Sequence, residues 1–563
     1  MCGIFALFLD DMGNIDHELV EKYFNMIKGR GPDDTQLKCF KQTAKLQNSA
    51  QYMGFHRLAI NGLDAISNQP LELEDVVLIC NGEIYNHAAL RDENNFVYKS
   101  NSDCEIILHL YKKYGCDFVN LLDGVFAFIL FDRGNQKVIA ARDPIGVRPL
   151  FYQIQGHKIA FASEAKSLVG LNECIGGKTA PFKHFETNSE IIHQFPAGNY
   201  MTFDLNRYSA PRMYEFHPYL HENFYGTTFK YDNDCAANII LQTRKLLSAA
   251  VEKRLMSDRP IGCLLSGGVD SSVVAALLCK YYQGQGKNIK TFSIGFEDST
   301  DLKYARIVAD HIGSEHHEIR LNYTDAIARI PDVIRDIETY DITTIRASAG
   351  MYLLAEYISK NFEEIVIFSG EGSDELLAGY LYFHYAPTTK ELENESVRLI
   401  KNLPWFDVLR ADRCTATHGL ELRVPFLDKH FVQFCLNIAG EAKQPQNNIE
   451  KYYLRKAFED LLPHEVIWRR KEGFSDGVGG LSKPWYRWIQ EDIESKYPDD
   501  MLIESDKVSD LVKKFPSKEA WFYYYTFTEY YGKLLKPIPH YWMPQWQKTN
   551  DPSGRMMEVF DEK

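Results

Sequence analysis

Pro260-Ile-Gly-Cys-Leu-Leu265 runs directly into Ser266-Gly-Gly-Val-Asp-Ser-Ser272, and the reading of this stretch decides the fold. The first part is an apolar run of strand length. Gly267 and Gly268 let the backbone come close to a ligand, and consecutive N–H groups there can form an anion nest. Ser271 and Ser272 open a helical pattern that continues to Tyr282, and a helix N-terminus favours phosphate. Asp270 can hold Mg²⁺, which prefers carboxylate plus phosphate oxygens. The plain alternative is a glycine turn with a serine cap. It is weak, because every residue from Ser266 to Ser272 suits pyrophosphate. No lysine follows the glycines, so this is not a Walker A loop.

Outward from this loop, a long amphipathic helix at Ala236–Met256 precedes it. Strand Thr291–Gly295, helix Tyr304–Ile312 and strand Glu364–Ser369 follow it. Strands alternating with helices predict a parallel, doubly wound α/β sheet. The last of these strands ends in Ser369-Gly-Glu-Gly-Ser-Asp-Glu375, which places three carboxylates on a Gly/Ser turn. Ligands of open α/β sheets bind beyond the carboxyl ends of strands, so the two turns predict one site. A charged cluster, Trp468-Arg-Arg-Lys-Glu-Gly473, reads as a solvated face at Arg469 and Arg470, whereas Lys471 can reach phosphate as a point charge.

The first two hundred residues read differently. Val76–Cys80, Gly124–Phe131 and Val138–Ala141 are compact apolar runs between turns, with one clear helix at Cys104–Tyr114. Packed sheets with flanking helices, an α+β layered domain, are expected. From about Leu205 to Asp232 the chain is rich in Tyr, His, Pro and Asn, which marks the connection. The predicted division is therefore 1–205, a connection at 206–232, a second domain at 233–540, and a surface-packed tail at 541–563 that is poorly ordered at its end.

At 563 residues the chain exceeds what one core supports. A net charge of −14 argues against non-specific nucleic-acid binding. The eleven cysteines are odd in number and contain no CxxC pair, so a disulfide framework or a zinc site is not expected and a reducing cytoplasm is. The apolar start ends at Asp10 without a basic region before it, unlike a signal peptide, and no apolar run has membrane-spanning length.

Cys2 stands one bond from the free end once Met1 is removed. The thiol would then be a nucleophile and its own α-amine a base, titrating near pH ~7.7–8.0. Position alone favours the plainer reading of an inert strand residue.

Together these segments resemble the glutamine-hydrolysing asparagine synthetases. The N-terminal half is similar to an Ntn-type, class II glutamine amidotransferase at Met1–Ile4, Arg30–Asp33, Gly54–Asn61, Asn81–His87, Ser102–Cys104 and Ala141–Phe151. The C-terminal half resembles PP-loop ATP pyrophosphatases at Leu264–Ser272, Glu338–Ser348, Ser369–Tyr380, Gly419–Asp428 and Arg469–Gly479. The resemblance implies an αββα sandwich of antiparallel sheets followed by the parallel sheet. It implies that Cys2 is the glutaminase nucleophile and that Asn81 and Gly82 form its oxyanion hole. Arg57 would grip the glutamine α-carboxylate, Asp103 would face its α-ammonium, and Leu58, Ala59, Ile60, Asn61 and Glu83 would complete that pocket.

In the second half, the resemblance implies ATP contacts at Leu264, Ile294, Ser369 and Gly370, alongside Ser266, Gly267, Gly268, Asp270, Ser271 and Ser272. Mg²⁺ would sit at Asp270 and Asp374. Glu371 would serve formation of a β-aspartyl adenylate, and Arg346 and Lys471 would be cationic partners of substrate and phosphates. The implied partners are L-glutamine, L-aspartate and ATP, with neither nucleic acid nor membrane, and a homodimer is the assembly to test. Ammonia is best kept unprotonated, so a buried passage between the halves is implied. Two alternatives stay open: the same machinery acting on another carboxylate, and a non-catalytic homologue. Gly29 and Ala378 depart from residues frequent in the family.

Overall fold

The structure is a computed structural model that describes residues 1–9, 16–41, 50–155, 158–170, 191–206, 214–220, 224–225, 235–473, 477–479, 483–497, 515–532, 534–547 and 551–554. Most of the 206–232 connection, Phe474 to Asp476 in the basic block, and parts of the 541–563 tail lie outside these residues.

Gly3–Leu9 shows how the N-terminal half is layered. Strand periodicity sends Ile4, Ala6 and Phe8 to one face and Phe5, Leu7 and Leu9 to the other, and all are buried. The strand is therefore covered on both sides. It lies in a six-stranded antiparallel sheet, in spatial order His193–Gln194, Phe151–Gln155, Lys158–Ala162, Gly3–Leu9, Ala50–Arg57 and Asp34–Lys41. Ile4, Ala6 and Phe8 meet Val77, Ile79, Ile129 and Phe131 of a second six-stranded antiparallel sheet. That sheet runs Tyr214–Pro218, Asn199–Asp204, Lys137–Arg142, Gly124–Asp132, Val76–Ile84 and Leu71–Leu73. Its outer face packs Leu78, Phe126 and Phe128 on Ile106, Ile107 and Leu110 of helix Ile106–Tyr114. Helix His17–Asn25 covers the other sheet through Val20 and Phe24. The expected αββα sandwich is present.

The C-terminal half holds a five-stranded, wholly parallel sheet in the order Glu315–Arg320, Lys290–Gly295, Ile261–Leu264, Val366–Phe368 and Glu421–Arg423. The chain winds outward from Ile261–Leu264 in one direction and then returns to its other side. The switch point thus lies between Ile261–Leu264 and Val366–Phe368, the strands that carry the two predicted turns, and a crevice opens there. Helices Val269–Gln283 and Ile342–Asn361 flank it, the latter capped by the Asp341 carboxylate on Thr344 N.

One apolar cluster is continuous from Phe5 and Val147 to Cys263, Phe368 and Leu422, so the two halves share a buried interface. The ten cysteines within the described residues are all free thiols. Among the described residues no helix is long and apolar enough to cross a membrane. The tail is not simply surface-packed: Trp542, Pro552 and Ser553 are buried.

Candidate functional site

Two sites emerge, one in each half. In the first, the Cys2 thiol sits against the turn after strand Ala50–Arg57, donating to Leu58 O at 3.5 Å and lying 3.4 Å from Leu58 N. Leu58, Ala59 and Ile60 are buried around it. Ala59 is tied down by Asp33 and Arg259, which contact its N–H and carbonyl at 2.8 Å each. Arg57 spends three N–H groups on Gly62 O, Asp64 O and Asn68 Oδ1, so it shapes the 58–68 loop.

Strand Val76–Ile84 supplies the facing wall. The Asn81 side-chain nitrogen is buried and, among the described residues, has no hydrogen-bond partner. Gly82 must be glycine, because a Cβ there would lie 2.3 Å from Val125 O. Glu83 accepts from Asn61 and is pushed well above the carboxylate range by burial, with Glu421 and Asp103 adding to it. Asp103 accepts from Ile84 N at 2.7 Å, and burial raises it to about 6.

Met1 is itself buried, its amine donating to Leu420 O at 3.1 Å across the interface. Burial lowers that amine to about 5 and raises the Cys2 thiol to about 11. With Met1 in place, Cys2 is a neutral thiol and its nitrogen is an amide.

The second site is a cavity of about 220 Å³ at the switch point. Leu264, Ser266, Gly268, Asp270 and Ser271 line it from the first turn, Ile294 from the neighbouring strand. Ser369, Gly370, Glu371 and Asp374 line it from the second turn, and Lys471 from the basic block. The turns interlock: a Cβ on Gly370 would lie 2.8 Å from Ser271 N. Ser266 and Ser271 hydroxyls bond each other at 3.0 Å.

Three expected residues are placed otherwise. Gly267 does not line the cavity; its φ of +73° makes the turn, against Ala305 N. Ser272 is fully buried one turn into the helix and does not line the cavity. Arg346 is the larger correction. Its guanidinium is held between Glu519 (2.6 and 2.8 Å) and Asp551 (2.8 and 2.9 Å), and it does not line the cavity. Two carboxylates already satisfy that charge.

Sequence reasoning missed Lys451. Its ammonium is buried and lies 2.6 Å from both Asp270 and Asp374, while Lys471 lies 2.7 Å from the other Asp374 oxygen. Burial alone would raise Asp374, but the two lysines outweigh it and hold it well below its ordinary range. Arg410 was also missed; it reaches Glu371 at 2.8 Å and Asp407 at 3.0 Å. Burial nevertheless keeps Glu371 above the ordinary carboxylate range. Neither cation stands near a recognisable motif.

The asparagine synthase family matches residues 242–406 and 386–529, and the glutamine amidotransferase domain family matches residues 1–215. An asparagine synthetase [glutamine-hydrolyzing] of Cricetulus griseus is 44% identical over 583 aligned residues, covering 99% of this chain and 98% of the relative. The proteins of the same description from Homo sapiens (99% and 98% covered) and Gallus gallus (100% and 99%) are each 43% identical. The chain belongs to the glutamine-hydrolysing asparagine synthetases.

Against that family, Ala378 stands where Gly is frequent and adopts a left-handed φ of 51° while fully buried. Gly29 leaves no room for the family's frequent His without movement, since a Cβ would lie 2.9 Å from Thr417 O. Both departures alter loops, not the side chains of either site.

Asparagine synthetases use ATP as a substrate, and the donor set here fits Mg²⁺. Asp270 and Asp374 line the switch-point cavity together, each paired with Lys451, and among the described residues no group of three or more His, Cys, Asp or Glu side chains is placed to hold a metal ion. Mg²⁺ accepts one or two carboxylates and completes its shell with phosphates and water.

Proposed function

We propose that this chain makes L-asparagine from L-aspartate and ATP, with ammonia released from L-glutamine, leaving AMP, pyrophosphate and L-glutamate. The observation that carries this is one chain in which a thiol seated on the turn after Ala50–Arg57 and a cavity lined by two Gly/Ser turns are joined across one buried interface.

We assign the glutaminase to residues 1–205 and the synthetase to 233–540. Removal of Met1 frees the Cys2 amine, which takes the thiol proton as the thiolate attacks the glutamine amide carbon. Asn81 Nδ2 and Gly82 N–H stabilise the charge developing on the amide oxygen, and Arg57 and Asp103 orient the substrate by its α-groups. Ammonia leaves, and water hydrolyses the thioester to glutamate.

In the crevice, the aspartate β-carboxylate attacks the α-phosphorus of ATP and pyrophosphate departs. Mg²⁺, held by Asp270 and Asp374, would neutralise pyrophosphate charge. Lys451 and Lys471 move from these carboxylates toward the phosphates, and Glu371, kept by Arg410, faces the adenylate. Ammonia then displaces AMP. We place this chemistry in a reducing cytoplasm, which keeps Cys2 a thiol, and take a homodimer as the assembly for sedimentation to check.

Purified protein given glutamine, aspartate, ATP and Mg²⁺ is expected to form asparagine with equimolar AMP and pyrophosphate. ADP as the product, or no asparagine with either glutamine or ammonia, would refute the proposal.

A further inference from the structure

Arg346 belongs to Glu338–Arg346, a stretch that reads as part of the substrate site, yet its contacts lead to the end of the chain. It makes a two-pronged pair with Glu519 of helix Lys518–Tyr531 and a second with Asp551. Asp551 also accepts from Gln490 at 3.1 Å and from Ser553 N at 2.9 Å. Five residues before Arg346, Asp341 accepts from Trp542 N at 2.8 Å. Trp542 is buried with its ring centre 5.6 Å from that of Tyr380.

These anchors bring Trp542, Pro552 and Gly554 onto the cavity that holds Glu371 and the phosphate turns. The one helix Ile342–Asn361 thus serves two ends. Thr343, Ala347 and Met351 face the cavity, and Arg346 faces the C-terminal segment.

We propose that residues 551–554, clamped by Arg346 through Asp551, are a wall of the adenylating pocket that keeps water from the activated carboxylate. This rests on the function proposed above. The reaction it suppresses is balanced: water oxygen bonds the β-acyl carbon of the aspartyl adenylate, the acyl–phosphate C–O bond breaks, and aspartate and AMP leave with no asparagine formed. Water-excluding walls matter in such sites because the intermediate is consumed by whichever nucleophile reaches it. Arg346 is accordingly a positioning residue.

The test uses the full-length enzyme with ammonia as nitrogen source and compares Asp551→Ala, Arg346→Ala, the double variant and a deletion of 551–563. Asp551→Ala and the deletion are expected to raise AMP formed per asparagine several-fold above one and to slow asparagine formation by about 10-fold or more. Glutamine hydrolysis at Cys2 stays within about two-fold, which shows a folded protein. The double variant should be no worse than Arg346→Ala, because both remove one clamp. An AMP-to-asparagine ratio unchanged in both Asp551→Ala and the deletion would overturn the proposal. So would multiplying effects in the double variant, which would put Arg346 on the substrate directly. Wild-type enzyme that releases AMP without any asparagine would refute the proposed function instead, and the variants' AMP release rates would still test the wall.

Discussion

Asp103→Asn is expected to stabilise the protein while damaging glutamine use. The Asp103 carboxyl has an ordinary value of 3.8 and is raised to about 6 by burial. A gap of roughly two pKa units corresponds to about 3 kcal/mol. Below pH ~4 the folded and unfolded states both carry the proton and this contribution vanishes. As pH rises toward 6 the unfolded chain loses the proton first, so stability falls, and above about 6 the full cost of a buried carboxylate remains. Asparagine removes that cost and can still accept from Ile84 N, which now donates to Asp103 at 2.7 Å. The gain should therefore grow from about 1.5 kcal/mol at pH 5 to about 3 kcal/mol at pH 7.5. Urea unfolding followed by far-UV circular dichroism measures it, with hydrogen exchange in Val76–Ile84 to localise it. Tryptophan fluorescence would not report on this half, because all seven tryptophans lie beyond residue 400. The same substitution removes the carboxylate proposed to face the glutamine α-ammonium, so KM for glutamine should rise roughly 10- to 100-fold. A gain that is the same at both pH values would show that the carboxyl is not desolvated, and an unchanged KM would show that it does not face the ammonium.

Three further outcomes follow. Cys2→Ala should abolish glutamine-driven synthesis and leave ammonia-driven synthesis intact, as product assays with each nitrogen source would show. Lys451→Met removes the ammonium that stands between Asp270 and Asp374. Adenylation should fall by about 100-fold while the Mg²⁺ concentration for half-saturation drops, since two carboxylates lose their competing cation; a higher Mg²⁺ requirement would contradict this. Asp412→Ala leaves Arg30 and Arg413 short of a buried counter-charge and should cost about 3–5 kcal/mol in thermal or urea unfolding.

That the two turns meet at one crevice was legible in the sequence because their signals are local: glycines, serines and carboxylates stand within a few residues of one another after an apolar strand. The sheets of the first half were legible as compact apolar runs between turns, such as Val76–Cys80 and Gly124–Phe131, while their antiparallel pairing was implied only by the resemblance. Arg346 stands off the cavity for a geometric reason. Thr343, Ala347, Met351 and Leu354 form one stripe of their helix at the cavity, and Arg346 lies roughly a quarter-turn from it. Its partner Asp551 is 205 residues away, a pairing that only the fold creates. Lys451 was invisible on the same grounds, lying 181 residues from Asp270 beside a Pro-Asn turn without phosphate signals.

The interface between the halves is charged where apolar packing would have sufficed to hold it. Arg30 donates to Cys2 O at 2.9 Å and pairs with Glu164 at 2.6 Å and with Asp412 at 2.8 Å. Arg413, one residue on, pairs with Glu338, which in turn accepts from the backbone of Ala165 and Lys166. Arg30, Lys166 and Arg413 stand against Glu164, Glu338 and Asp412, a balanced and buried set. Desolvating six charges costs what their attraction returns, so such a network is a poor source of stability. It is a good source of register, because a slip of about 1 Å breaks several directional bonds at once. Helix Asp407–Ala416 carries both ends of this logic. Arg410, itself held by Asp407, pairs with Glu371 at the second turn, and Asp412, less than one turn further along, pairs with Arg30, which donates to the Cys2 carbonyl. Cys2 and Glu371 are thereby tied to one helix, which, under the function proposed above, keeps the two sites in fixed register.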